Sequence, residues 1–493
     1  KTQVLTARVL RLLLEGAAPT RILCLTFTKA AAAEMATRIA ERLGIWTMAP
    51  DEVLEKEIRS LGHARTDKAT LALARRLFAR VLDAPGGMRI VTIHAFCQSV
   101  LQRFPLEAGL APHFSVLDEG AARELMREAR DALLGQEGPA PALGDPVAGI
   151  AVHAGEDQFA ELMGALARER GRLSAALERH GGVEGLAKAI RKHHRVDKVR
   201  GDAELVAAGS ADGAFDRTAL TLAAKALLDG GKTDKERGQA IADWLASDAP
   251  ARARGIGEYL GAFLTQKAAI QKRLATKGVE EDHPGTLAAL AAEAERLRAF
   301  AERRRALAVA DSTEAMVRLG SAMLDIYERR KRAAGALDYD DLVHHTRRLL
   351  ERPDLPRWVL FKLDGGLDHV LIDEAQDTNP DQWAVVQALT DEFFSGAGAR
   401  DAQRTLFAVG DPKQSIFSFQ RADPKAFDDM RGYFQLRVEA AMAEFRPVAL
   451  QKSFRSTPPV LKLVDAVFAE GAARDGVVVD RDILKHEAER AGD

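Results

Sequence analysis

Two adjacent carboxylates, Asp373 and Glu374, follow the apolar run Val370-Leu371-Ile372. A buried strand that delivers such a pair at its C-terminal tip suits nucleotide hydrolysis: one carboxylate holds Mg²⁺ through water while its neighbour polarises the attacking water. The rival reading is a strand that simply ends in a solvated acidic loop. Downstream, Val409-Gly410-Asp411-Pro412-Lys413-Gln414-Ser415-Ile416-Phe417-Ser418-Phe419 joins a strand end, a tight turn, an amide and two aromatics. Gln414 can accept from a water and donate to a γ-phosphate oxygen. Phe417 and Phe419 are either stacking platforms for nucleic-acid bases or core residues. A third element is Lys1-Thr2 directly before a helix. A phosphate-binding loop ends in this way, with Lys on the β/γ-phosphates, Thr on Mg²⁺ and the helix N-terminus facing the anion.

These residues need a scaffold that brings them together. Val4, Leu5, Val9, Leu10, Leu13 and Leu14 recur at helical spacing, and Gly16 with Pro19 ends that helix. Arg21–Phe27 is a short continuous apolar run, a helix from Ala30 to about Leu43 follows it, and Arg89–Ile93 is a second such run. His369–Asp373 and Thr405–Gly410 are two more. Continuous apolar runs mark strands buried on both faces, so the four are expected in one parallel sheet with the chemistry at their C-terminal ends. Between about Asp118 and Asp338 the texture is Ala/Leu/Arg/Glu-rich and helical, with no clean repeat period. Lys188, Arg191, Lys192, Arg195, Lys198 and Arg200 crowd one stretch of it, and Arg303–Arg305 and Arg329–Arg332 form others. Such clusters are either solvated helix faces or a track along a DNA backbone.

The chain has 493 residues, with 70 Lys+Arg against 72 Asp+Glu for a net charge of -2. That length accommodates two to four domains, and the charge excludes a polycation or an acidic disordered tail. The two cysteines, Cys24 and Cys97, lie far apart without a CxxC partner, which excludes a disulfide framework or a Cys-based zinc site and points to a reducing, cytoplasmic setting. No apolar run is long enough to span a bilayer.

In order, seven blocks of the chain resemble the motifs of UvrD/Rep-type superfamily 1 helicases, and most closely those of the AddA-type helicase–nuclease subunits of bacterial double-strand-break repair. They are Lys1-Thr2; Thr26-Phe27-Thr28-Lys29-Ala30-Ala31-Ala32-Ala33-Glu34-Met35; Thr92-Ile93-His94-Ala95-Phe96-Cys97; Leu337-Asp338-Tyr339-Asp340-Asp341-Leu342; Asp373-Glu374-Ala375-Gln376-Asp377-Thr378-Asn379; Gly410-Asp411-Pro412-Lys413-Gln414-Ser415-Ile416-Phe417; and Ser453-Phe454-Arg455-Ser456. Lys29-Ala30 and Ser418-Phe419-Gln420, together with the long interval between His94 and Asp373, resemble AddA or RecB usage rather than that of compact UvrD members.

The resemblance implies an α/β, RecA-like P-loop motor with a parallel sheet, interrupted by a large all-helical insertion. Residues 1–117 and 337–447 would form motor domain 1A, 118–336 insertion 1B, and 448–493 the start of motor domain 2A. ATP and Mg²⁺ are the implied cofactors. Lys1 and Thr2 would contact phosphate and metal, Asp373 would hold Mg²⁺, Glu374 would be the catalytic base, Gln414 would sense the γ-phosphate and Arg455 would be an arginine finger. Phe27, Thr92, His94, Phe417 and Phe419 would touch single-stranded DNA. The implied partners are single-stranded and duplex DNA ends and a second, AddB-like subunit, with 3′→5′ movement and no membrane. Because Lys1-Thr2 stands where a phosphate loop ends, the chain reads as a piece of a longer motor, and these 493 residues alone are expected to hydrolyse little ATP. The alternative is a non-catalytic DNA-binding scaffold derived from a helicase core.

Overall fold

The computed structural model describes residues 1–63, 65–135, 146, 149–150, 155–352, 359, 362, 366–394, 403–415, 424–450, 452–474 and 485–489. The chain divides into two compact units, Lys1–Glu119 with Gly335–Asp493, and Gly120–Ala334.

The first unit is built on a four-stranded sheet of β1 (Ile22–Thr26), β2 (Arg89–Thr92), β3 (His369–Ile372) and β4 (Thr405–Ala408). Its order is β2-β1-β3-β4 and every pairing is parallel, with Leu25 opposite both Val91 and Ile372, and Ile372 opposite Ala408. Side chains alternate across a strand, so each apolar run serves two cores. Leu23, Leu25, Val370 and Ile372 pack with Phe96 and Val100 of α3 (Ile93–Arg103), Leu342 and Leu349 of α4 (Tyr339–Glu351), and Trp383 and Val386 of α5 (Pro380–Thr390). Ile22, Cys24 and Leu371 pack on the other face with Leu5, Val9, Leu10 and Leu13 of α1 (Thr2–Leu14) and Met35, Ile39 and Leu43 of α2 (Lys29–Met48). Covering both faces explains the apolar runs of the central strands β1 and β3, every residue of which is buried. The edge strands β2 and β4, expected to be equally buried, are mostly half-buried with Ala408 exposed, because each has a neighbour on one side only.

Helix α2 extends beyond the expected end near Leu43. Gly44 looks like a stop signal, but the helix runs on to Met48 because Trp46 is fully buried and its Nε1 donates to Glu57 Oε2 at 2.7 Å. Burial of an indole outweighs the roughly 1 kcal/mol cost of an interior glycine. Cys24 and Cys97 are free and buried, and burial pushes both thiols up to about 12, so neither is a nucleophile at neutral pH.

The second unit is helical, with only an isolated bridge between Leu264 and Ile270 among its described residues. Its longest helix, Thr286–Ala333, has 48 residues, about 70 Å at 1.5 Å per residue. Phe215, Trp244, Tyr259 and Phe263 anchor one core, where the Trp244 and Tyr259 rings stack at 3.8 Å and 8°. The basic clusters are divided in use. Arg191 pairs with Asp311 and Glu314, Arg304 with Asp202 and Arg330 with Glu128, whereas Lys188, Lys192, Arg195 and Lys198 are exposed. Among the described residues no helix is long and apolar enough to cross a membrane.

Candidate active site

Strand β3 ends at Ile372, and the Asp373 N–H still donates to Leu25 O at 2.9 Å, which carries the next residues along the β1 edge. Glu374 then turns the chain. Its backbone is left-handed, φ 50° and ψ 46°, a conformation costing about 1–2 kcal/mol for a residue with a Cβ. Several bonds hold it there: Glu374 N–H to Asp373 Oδ1 at 3.1 Å, Ala375 N–H to Val409 O at 2.9 Å and Asp377 N–H to Glu374 O at 2.9 Å. The short helical turn Ala375–Asp377 follows, fully buried.

Strand β4 delivers the second loop beside this one. Asp411 organises it: Oδ1 accepts from Lys413 N–H at 3.1 Å, Oδ2 accepts from Gln414 Nε2 at 2.9 Å, and the backbone carbonyl accepts from Gln414 N–H at 2.9 Å. Gly410 is needed because the loops nearly touch. A Cβ there would lie 2.9 Å from Gln376 Oε1 and 3.1 Å from Gln376 N.

Lys1 closes the constellation. Its Nζ donates to Glu374 Oε2 at 2.6 Å and to Gln414 Oε1 at 2.9 Å, so three blocks distant in sequence meet at the C-terminal edge of the sheet. Thr2 opens α1, placing a hydroxyl-bearing residue and a helix N-terminus beside that lysine. Asp373, only 4% exposed, has its carboxyl raised above the usual range, first by burial and then by the charge of Glu374, with Lys1 opposing. Burial likewise raises the Asp377 carboxyl. Buried carboxylates held in this way favour a cation. Among the described residues no three His, Cys, Asp or Glu converge as a metal cage. Mg²⁺ does not need one, since it binds through one or two protein oxygens with phosphate and water completing its shell, and Asp373 with Thr2 fits that donor set.

The residues expected to face DNA divide. Phe27 follows β1 and is half-buried, lining a small indentation with Leu25, Thr26, Ile372, Asp373 and Thr378. Thr92 is buried and serves as the cap of α3, its Oγ1 accepting from Ala95 N–H at 3.2 Å. The His94 ring lies 5.2 Å from the Tyr339 ring at 56°, and its pKa is lowered by burial, with Asp340 opposing. Tyr339 is 36% exposed, an aromatic surface that the sequence block contained but did not single out. Phe417 and Phe419 lie outside the described residues. Arg455 is exposed beside the two-residue strand Lys452–Ser453, and no hydrogen bond among the described residues joins it to Lys1, Glu374 or Gln414.

One residue of the site escaped sequence reasoning. Gln376 is 1% exposed and is bonded to Glu374, Asp377 and the Asp411 backbone. Only its place in the turn after Asp373-Glu374 hinted at a role, and nothing in residue type distinguished it from its neighbours.

The UvrD/REP helicase N-terminal domain family matches residues 1–435. The chain is 29% identical to an ATP-dependent helicase/nuclease, the A-type subunit from Desulforudis audaxviator, across 95% of this chain and 38% of that protein. It is 28% identical to the protein of the same name from Geobacillus thermodenitrificans, across 95% and 37%. The ATP-dependent DNA helicase UvrD1 of Mycobacterium tuberculosis is 32% identical over 33% of the chain and 20% of its own length. The chain thus spans less than two-fifths of the length of these relatives.

Proposed function

The chain belongs to the UvrD/REP helicase N-terminal domain family, and from that premise we propose that it is the nucleotide-binding motor segment of an ATP-dependent DNA helicase of the AddA type. The full-length protein would act with an AddB-like subunit on DNA ends in bacterial double-strand-break repair and recombination. It would move 3′→5′ in the cytoplasm and carry a nuclease outside this segment. The names of the relatives that match 95% of the chain support the AddA assignment over a compact UvrD.

The observation that carries the motor reading is the meeting of Lys1 with Glu374 and Gln414 at 2.6 and 2.9 Å on the C-terminal edge of a parallel sheet. In this reading Lys1 exchanges those two partners for the β/γ-phosphate oxygens of ATP. The exchange frees Glu374 Oε2 to take a proton from water and Gln414 to orient that water against the γ-phosphate. Asp373 and Thr2 would hold Mg²⁺, which would supply positive charge against the phosphate oxygens. Arg455 reaches the γ-phosphate when the part of the protein carrying it closes. Phe27, His94, Phe417 and Phe419 supply ring surfaces for single-stranded bases, and Thr92 contributes by fixing the start of α3 beneath His94.

The test is Glu374→Gln in the full-length protein. DNA-stimulated ATPase should fall by about 10²–10⁴, the usual contribution of a general base, while affinity for single-stranded DNA persists. Turnover unchanged in that variant would overturn the assignment. A wild-type protein that binds DNA without any stimulated ATPase would favour the scaffold reading instead.

A further inference from the structure

Gln376 has a set of bonds that a side chain filling a turn does not need. Nε2 donates to Glu374 Oε2 at 2.7 Å and to Asp377 Oδ2 at 3.1 Å, and Oε1 accepts from Asp411 N–H at 2.8 Å. The partners fix the amide's orientation, because a reversed amide would set an acceptor against two carboxylates and a donor against an N–H. A buried amide with a purely local role is satisfied by nearby backbone. This one spans the tips of two strands and packs against Gly410, where a Cβ would lie 2.9 Å from its Oε1.

Glu374 Oε2 accepts from both Lys1 and Gln376. In the proposed function Lys1 leaves for phosphate, so Gln376 becomes the donor that keeps the carboxylate aimed. Glu374 sits on a left-handed backbone, where its side chain has no regular secondary structure to direct it.

We infer that Gln376 is the positioning residue of the general base: through Nε2 it holds Glu374 Oε2, and through Oε1 it ties that carboxylate to the Asp411–Gln414 turn, so that the base and the phosphate-facing glutamine stay in fixed relation. The inference rests on Glu374 being the base. Asp411 is the receiving end of the tie, since its backbone N–H binds Gln376 while its carboxylate and carbonyl hold Gln414.

The experiment is steady-state ATPase with single-stranded DNA on the full-length protein and its Gln376→Leu, Gln376→Glu and Glu374→Gln variants, with the Gln376→Leu/Glu374→Gln double variant. Misplacing a reacting group by about 1 Å costs up to about 10²-fold. Gln376→Leu should therefore lower kcat by roughly 10- to 100-fold while KM for ATP stays within about threefold, because Lys1 and Thr2 are untouched. Gln376→Glu keeps the volume and the acceptor for Asp411 but loses donation to two carboxylates, so it should lose at least as much and guards against a leucine variant that fails to fold. On the Glu374→Gln background Gln376→Leu should add less than about a twofold loss, as expected of a residue acting through Glu374. Full additivity on that background, or unchanged kcat in both single variants, would overturn the inference. If Glu374→Gln itself leaves turnover intact, the function assignment falls with it. If Glu374→Gln abolishes turnover and the Gln376 variants do not reduce it, only the positioning role falls.

Discussion

Both compact units bury charged side chains, and they treat them in opposite ways. In Gly120–Ala334, Arg252 is 1% exposed and each nitrogen of its guanidinium has an acceptor: Nε donates to Ser210 O at 2.9 Å, one terminal nitrogen to Ser247 O at 2.7 Å and the other to Asp212 Oδ1 at 2.6 Å, while the Phe215 ring lies 5.4 Å away. Arg237 is spent in the same way on Ala262 O, Leu274 O and Gln271 Oε1. At the sheet edge of the other unit, Asp373 and Asp377 are buried carboxylates whose charge is costly, next to a strained Glu374. Buried polarity that closes on itself holds helices together, and buried polarity still favouring a cation is equipped for chemistry.

The comparison can be broken at several points. The largest expected effect is at Arg455, whose side chain is exposed in this structure. Arginine fingers are worth about 10³–10⁵ in rate in GTPases, so Arg455→Ala should lower DNA-stimulated turnover by about 10³ or more while nucleotide affinity, measured with a fluorescent ATP analogue, changes little. Wild-type stimulated turnover would remove Arg455 from the chemistry. Arg252→Met tests the side that closes on itself. It strips the donors from Ser210 O and Ser247 O, while Asp212 stays exposed with Arg217 as its partner, so the second unit should lose about 1–3 kcal/mol of stability, with faster hydrogen exchange in Asp202–Ser210 and Ala249–Arg254 and no loss of nucleotide affinity. A neutral outcome would mean that this network contributes no stability.

The sheet was legible because each strand is a short, mainly apolar run with a polar or glycine ending, a pattern that two-sided burial imposes on the central strands β1 and β3. Lys1, Asp373, Glu374 and Gln414 were legible as types at the ends of such runs. Their meeting at hydrogen-bond distance was not, because pairing between residues 373 and 413 positions apart is set by sheet order. Gln376 and Tyr339 stayed hidden for a related reason: a buried amide bridging two strand tips and a ring beside His94 acquire meaning only from neighbours across the fold. Trp46 shows the same limit for helix ends, where a tertiary contact overrode the stop signal at Gly44. Along the basic stretch, spacing did not separate Arg191, paired with Asp311 and Glu314, from exposed Lys188 and Lys192.

The smallest effect probes the stored cost at the sheet edge directly. Burial, then the charge of Glu374, raises the Asp373 carboxyl above its unfolded value near 4. Between those two values the folded chain binds more protons than the unfolded one, so the contribution of Asp373 is full below the unfolded value and is lost as pH rises through the folded one. The ionised form of the group is therefore a liability to folding. Asp373→Asn keeps an oxygen to accept from Glu374 N–H and removes the charge. Without nucleotide or metal it should raise Tm by about 1–3 °C near pH 7.5, and the gain should shrink as pH falls toward 4. Millimolar Mg²⁺ should stabilise the wild-type protein and leave the asparagine variant unmoved, because the cation and the substitution relieve the same unfavourable charge. A lower Tm for Asp373→Asn at pH 7.5 would show that Lys1 already compensates this carboxylate, and the sheet edge would then be as closed as the Arg252 network.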